Sequence, residues 1–377
     1  MGSLKRKRET QKEDEPGLLE KSFLLTGCDS WVRGRKLGQG GFGSVYLASV
    51  KKPKLGSEGF PGIMAVKSAL MVESLELMME KSLLQTLRSS PFVIDCYGED
   101  VTAGLGHNLV YNVFLEYADG GTVGDLIKQS GVSGLCELQV RKYTESILKG
   151  VQYIHEMGFV HCDLKPENVL LVTSGSGFVP KIGDLGLTKR AMSKRSCRGT
   201  PMYLSPETVL DRIQEKPSDI WALGCVVLKM LTGRHPWHTK AGVKLLDLKP
   251  QIASGVPNIP GGLSEEAKDF LKNCFVRDPS QRLTAAKLLH HPFVTKVDVI
   301  GQVKVEPIKE VSSVLSSEHC VLDYGSFIPL GSWSSEEAEE MEQQILPLAL
   351  MSPRDSTPVI PTTGCQKPSA FPILGAA

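Results

Sequence analysis

From Trp31 onward the chain alternates apolar and polar residues. The stretch WVRGRKLGQGGFGSVYLASV over 31–50 predicts two strands joined by a glycine-rich turn. After a loop holding Pro53, Gly56 and Gly59, GIMAVKSAL over 62–70 predicts a third strand. LELMMEKSLLQTLR over 75–88 repeats apolar residues at helical spacing, and Pro91 closes it off. NLVYNVFLEYA over 108–118 reads as strand running into a linker, with Asp119, Gly120 and Gly121 as a turn.

Beyond that turn helices dominate. Over 135–158, Val140, Tyr143, Ile147, Val151 and Ile154 keep three- and four-residue spacing, the pattern of an amphipathic helix. SDIWALGCVVLKMLTG over 218–233 is apolar on nearly all sides and predicts a buried helix. Glu265–Cys274 and Thr284–Leu289 supply two more. The pattern predicts an α+β, bilobal fold: a β-rich N-lobe over 31–116 and an α-rich C-lobe over 119–294, with a cleft between them.

The flanks read differently. Residues 1–30 are predicted to be a flexible leader, and 295–377, rich in Pro, Ser and Gly with an acidic SSEEAEEMEQQ run, a mostly disordered tail. Within the tail, ILPLAL is a short apolar piece that either docks or stays solvated. Lys5–Arg8 is a basic cluster open to two readings, a nuclear import signal or a solvated patch neutralised by Glu9, Glu13, Asp14 and Glu15.

Composition narrows the function classes. The formal net charge is +1, from 43 basic and 42 acidic residues, so no global field points to nucleic acid or an anionic membrane. Nine cysteines occur as singletons without a C-x-x-C pair, which suits free thiols in a reducing compartment. The N-terminus is too charged for a signal peptide, and Ile220–Leu231 is too short to span a bilayer. Arg6 stands where a myristoylation signal at Gly2 wants Ser or Thr. A soluble protein of the cytoplasm or nucleus is expected, with no direct nucleic-acid binding. The lone histidines, among them His155, His235, His238, His290 and His291, lack ligand spacing and read as packing or cap residues.

Four constellations carry chemistry. Gly38, Gly40 and Gly43, followed by Val45, let backbone N–H groups approach phosphates without Cβ clashes. A dinucleotide site needs a helix opening at such glycines, and here a strand follows. Lys67 ends the apolar run Ile63–Val66 and needs solvent or a charge partner. Glu80 is the natural partner, with Glu73 and Glu76 competing; so held, Lys67 could contact α- and β-phosphates. HCDLKPEN over 161–168 is the most specific string: Asp163 as proton acceptor, Lys165 as the charge on a transferring phosphoryl, Asn168 as a magnesium ligand. Asp184, followed by Leu185 and Gly186, is the second magnesium ligand.

Taken in order, GQGGFGSV, MAVK, HCDLKPEN, DLG, GTPMYLSPE and DIWALG resemble the eukaryotic serine/threonine protein kinase family over about Trp31 to Val294. The resemblance implies a protein-kinase-like fold using ATP and Mg2+ on protein substrates. It implies Leu37, Val45, Ala65 and Leu170 around adenine, Leu115 as gatekeeper, and a hinge of Glu116, Tyr117 and Ala118. It further implies a Glu207–Arg282 pair, Asp219 bracing the catalytic-loop backbone, Thr200 bonded to Lys165 and Asp163, and His161, Leu185 and Leu84 in an apolar spine.

Two residues depart from the family pattern. Cys162 replaces the arginine that normally grips a phosphorylated activation segment, which a thiol cannot do. The expectation is a kinase that does not strictly need that phosphorylation, or that uses Lys189, Arg190, Lys194 or Arg195 instead. Leu185 replaces the usual phenylalanine and is expected to pack the same spine. HCDLKPENVL with GTPMYLSPE is similar to plant members of the mitogen-activated protein kinase kinase kinase (MEKK-like) group, implying MAP kinase kinases as substrates. The rivals are a pseudokinase scaffold, disfavoured because Lys67, Asp163, Asn168 and Asp184 are all present, and a small-alcohol kinase, disfavoured by the long activation segment.

Overall fold

A computed structural model describes residues 30–41, 43–51, 61–104, 108–175, 177–237 and 245–296. The expectations for the leader, Lys5–Arg8, His238 and the tail lie outside them. The first lobe is an antiparallel sheet of β1 (Trp31–Gly40), β2 (Gly43–Val50), β3 (Ile63–Leu70), β4 (Cys96–Ala103) and β5 (Leu109–Leu115), in the order β1-β2-β3-β5-β4. Helix α1 (Leu75–Leu87) lies between β3 and β4 in the chain.

Register gives the sheet two distinct faces, because antiparallel partners share a face and successive residues alternate. Gly38, Val45, Lys67 and Val113 form one row across it, and Leu47, Ala65 and Leu115 the next on the same face. On that face Ala69, Tyr111 and Val113 pack with Leu77 of α1. The opposite face buries Trp31, Tyr46, Ala48, Met64, Val66 and Phe114. A polar knot rides with it: Arg33 donates to Asn112 Oδ1 (2.7 Å), as does the Ser68 hydroxyl (2.7 Å).

The second lobe contains α2 (Val123–Ser130), α3 (Glu137–Glu156), β6 (Phe159–Val160), β7 (Val169–Ser174), β8 (Gly177–Ile182) and β9 (Lys189–Arg190). Then follow α4 (Pro206–Asp211), α5 (Lys216–Thr232), α6 (Leu245–Ser254), α7 (Glu265–Cys274), α8 (Ala285–Leu288) and α9 (Pro292–Thr295). The five apolar positions of α3 read from its spacing are all buried. In α5 every residue from Ser218 to Leu231 is buried, as its all-round apolar sequence predicts.

Capping explains several boundaries. Thr122 and Asp125 form a reciprocal capping box at the start of α2, and Ser264 and Thr284 cap α7 and α8. At the end of α5, Gly233 takes the left-handed conformation that closes helices.

Candidate active site

Lys67 anchors the upper half of the site. Its ammonium lies 2.7 Å from Glu80 Oε2 and 3.0 Å from Asp184 Oδ1, which comes from the other lobe. Burial opposes its charge, but Asp184 and Glu80 outweigh it and push its pKa up. Helical spacing selects Glu80: it shares the buried face of α1 with Leu77, Leu84 and Leu87. Glu73 is exposed in a 3-10 turn before α1, and Glu76 is half-buried.

The glycine-rich segment supplies the end of β1 and the start of β2, whose Val45 pairs with Lys67. Gly43 has φ +137°, and a Cβ there would come 2.4 Å from the Ser68 carbonyl oxygen, so only glycine fits. Gly40 is exposed and Gly38 buried, paired with Val45 across the hairpin. Val45 and Ala65 share Lys67's face of the sheet, and Leu115 pairs with Ala65 at the end of β5. Leu37 and Leu170 are half-buried, and Leu170 sits on β7 of the second lobe.

The segment joining the lobes is tied down by a contact the sequence did not reveal. Both Glu116 carboxylate oxygens lie 2.8 Å from the Lys181 ammonium, so the link is pinned to β8. Glu116 also accepts from the Asp95 N–H at 3.1 Å. The Ala118 carbonyl accepts the Gly121 N–H at 3.1 Å, making the turn expected there.

The lower half interlocks. Asp163 is 4% exposed, and its Oδ1 accepts from both the Thr200 N–H and hydroxyl at 2.8 Å. Its Oδ2 pairs with Lys165 at 2.9 Å, while Lys165 donates to the Thr200 hydroxyl at 3.0 Å. Burial works against the Lys165 charge, yet the Asp163 carboxylate raises its pKa. Asn168 donates to the Asp163 carbonyl (2.9 Å) and Oδ2 (3.2 Å), which turns its amide oxygen away from that carboxylate.

Beneath this lies Asp219, whose two oxygens accept the His161 N–H (2.8 Å) and Cys162 N–H (3.0 Å). Burial would raise its pKa, but hydrogen bonding from His155 at 2.8 Å and the charge there hold it down. His155 is thus buried as a structural partner of Asp219. His161, Leu185 and Leu84 are all buried, and Glu207 meets Arg282 at 2.8 Å.

The donor set fits magnesium delivered with a nucleotide. Asp184 presents a carboxylate 41% exposed to the cleft, and Asn168 an oriented amide oxygen. Magnesium commonly takes one or two protein oxygens and completes its shell with phosphate and water. Asp184 has φ +51°, a strained conformation for a residue with a Cβ, of the kind found where function over-determines the backbone.

Comparison with known proteins agrees with this geometry. The protein kinase domain family matches residues 31–294. The chain is 41% identical to Mitogen-activated protein kinase kinase kinase 20 of Arabidopsis thaliana, over 78% of this chain and 87% of that protein. It is 38% identical to Mitogen-activated protein kinase kinase kinase 17 of the same plant, over 78% and 76%. It is 32% identical to Mitogen-activated protein kinase kinase kinase A of Dictyostelium discoideum, over 76% of this chain and 30% of that protein. The chain belongs to the protein kinase family, as a serine/threonine kinase homologous to the mitogen-activated protein kinase kinase kinases.

Proposed function

We propose that the chain transfers the γ-phosphoryl group of Mg-ATP to serine or threonine hydroxyls of MAP kinase kinases within a signalling cascade. The observation that carries this reading is the Lys67–Asp184 contact at 3.0 Å, with Glu80 on the same ammonium. An ammonium and a carboxylate meeting between the lobes is what a phosphate-binding cation beside a magnesium ligand would require. Lys67 would hold the α- and β-phosphates, with Gly38, Gly40 and Gly43 covering them. Val45, Ala65, Leu115, Leu170 and Leu37 would enclose the base, and the backbone at Glu116 and Ala118 would read its edge. Asp184 and Asn168 would hold magnesium, which supplies positive charge against the phosphate oxygens.

Asp163 would orient the substrate hydroxyl and accept its proton as the oxygen attacks phosphorus. Lys165 would offset the charge on the transferring group. Thr200 fixes both residues through its side chain and backbone. No helix among the described residues is long and apolar enough to cross a membrane.

The test is transfer of labelled phosphate to a generic basic protein and to a panel of MAP kinase kinases. Asp163→Ala is expected to lower kcat by about 10^3-fold or more, with nucleotide binding retained. Wild-type protein that binds Mg-ATP yet labels nothing would instead favour a scaffold.

A further inference from the structure

One buried side chain joins the catalytic loop to the activation segment, and the chemistry above does not use it. Gln214 lies between α4 and α5 and is 2% exposed. Its Nε2 donates to the carbonyls of Cys162 (3.1 Å) and Arg198 (2.9 Å). Its Oε1 accepts from the Arg198 N–H (3.1 Å) and the Ser196 hydroxyl (3.1 Å). Both donors and both lone-pair directions of the amide are therefore engaged. The partners also fix its orientation, because rotating the amide would set its oxygen against two carbonyl oxygens.

The atoms it holds flank the reacting groups. Cys162 immediately precedes Asp163, and Arg198 stands two residues before Thr200. Cys162 has φ +68°, uncommon for a residue with a Cβ. Asp219 takes its N–H and Gln214 its carbonyl, so both ends of that residue are pinned. Gly199, at φ +100°, lets the segment approach: a Cβ there would lie 2.3 Å from the Cys162 carbonyl oxygen.

The residue before Asp163 supplies no cation to hold a phosphate at this place. The Cys162 thiol is buried, donates to the Val160 carbonyl, and is kept neutral by burial and by Asp219. Lys189 on β9 is matched by Glu215 at 2.9 Å, and Glu215 also accepts the Met192 N–H.

We propose that Gln214 is a positioning residue that fixes the activation segment on the catalytic loop through four neutral hydrogen bonds. The alignment of Thr200 with Asp163 then does not depend on a phosphate in the segment. This rests on Asp163 being the proton acceptor, as argued above.

The experiment uses full-length protein, treated with phosphatase until mass spectrometry finds no phosphate, together with Gln214→Met and Asp163→Ala. Dephosphorylated wild type is expected to keep kcat within about twofold, whereas Gln214→Met loses at least about fivefold in kcat while KM for ATP stays within about twofold. Trypsin should also cut Gln214→Met faster at Arg195 and Arg198, a change confined to the segment. A smaller loss of kcat in Gln214→Met, or loss of turnover on dephosphorylating wild type, overturns the proposal.

Should Gln214→Met fail to bind nucleotide, Ser196→Ala decides, since it removes one donor to Oε1. A fall of at least about twofold in kcat supports the latch and a smaller one overturns it. Turnover by Asp163→Ala would sink the assigned proton acceptor, whereas an inert Asp163→Ala beside an unimpaired Gln214→Met would sink the latch alone.

Discussion

Two carboxylates share the Lys67 ammonium, and their surroundings push them apart. Glu80 is buried within the first lobe, and burial raises its pKa despite the lysine. Asp184 is also raised by desolvation, but Lys67 and Lys165 overcome this and hold it at about 2. A carboxyl depressed below the ordinary aspartate value of about 3.9 stabilises the fold above that pH. That contribution is lost as pH falls from about 4 toward about 2. Acidification is therefore expected to protonate Glu80 before Asp184, leaving the contact between lobes as the last to break. Carboxyl carbon resonances, assigned with Glu80→Gln and Asp184→Asn, check the order. An Asp184 midpoint above about 4 contradicts it.

At the scale of elements, what could be read from the sequence followed from periodicity. α3 and α5 were legible because one carries an apolar stripe and the other is apolar all round. Glu80 was recoverable too: it falls in register with Leu77, Leu84 and Leu87, so the spacing that predicts α1 also singles out Lys67's partner. β4 leaves no signal in the sequence, because CYGEDVTA has few apolar residues and its partner β5 supplies the apolar side. β6 and β9, two residues each, fall below any periodic signal. α6 contains Pro250, which argues against a helix on propensity alone. Gln214 and Lys181 were invisible for another reason: their partners lie 16 to 65 residues away, and no local pattern marks a long-range hydrogen bond. The family resemblance supplied Glu207 and Arg282, whose pairing ties α4 to the loop before α8. The Arg282 side chain is 0% exposed, donates to both Glu207 oxygens and stacks on Trp221. Arg282→Met leaves that carboxylate buried without its cation, still bonded to the Ser218 hydroxyl, and is expected to lower the unfolding free energy by about 3–5 kcal/mol. Urea denaturation measures it, and adding Glu207→Met should recover part of the loss. A single-variant loss below about 1 kcal/mol contradicts the reading.

Across the whole molecule, the lobes are coupled by more than the Glu116 link. Leu83, Leu84 and Leu87 of α1 belong to the large hydrophobic cluster that fills the second lobe, together with Val93 and Ile94. The Ile94 N–H donates to Ile182 (2.9 Å), and the Ile182 N–H donates to Phe92 (2.8 Å), so the chain after α1 is stitched onto β8. One end of α1 thus moves with the second lobe, while Glu80 holds Lys67 of the first. A ligand that binds both halves should therefore stabilise the assembly as one unit. An ATP analogue at about 100 times its Kd adds about 2.7 kcal/mol to the folded state. Part of that increment should need magnesium, because on the proposed reading Asp184 and Asn168 would reach the phosphates through the metal. Thermal unfolding with the analogue, with and without magnesium, is expected to show a magnesium-dependent rise in Tm for wild type. Asp184→Asn should keep the metal-free rise, which the base and Lys67 would supply on that reading, and lose the rest. An undiminished magnesium increment in that variant would place the metal elsewhere. Loss of both increments would mean that Asp184 serves chiefly to hold Lys67 in place.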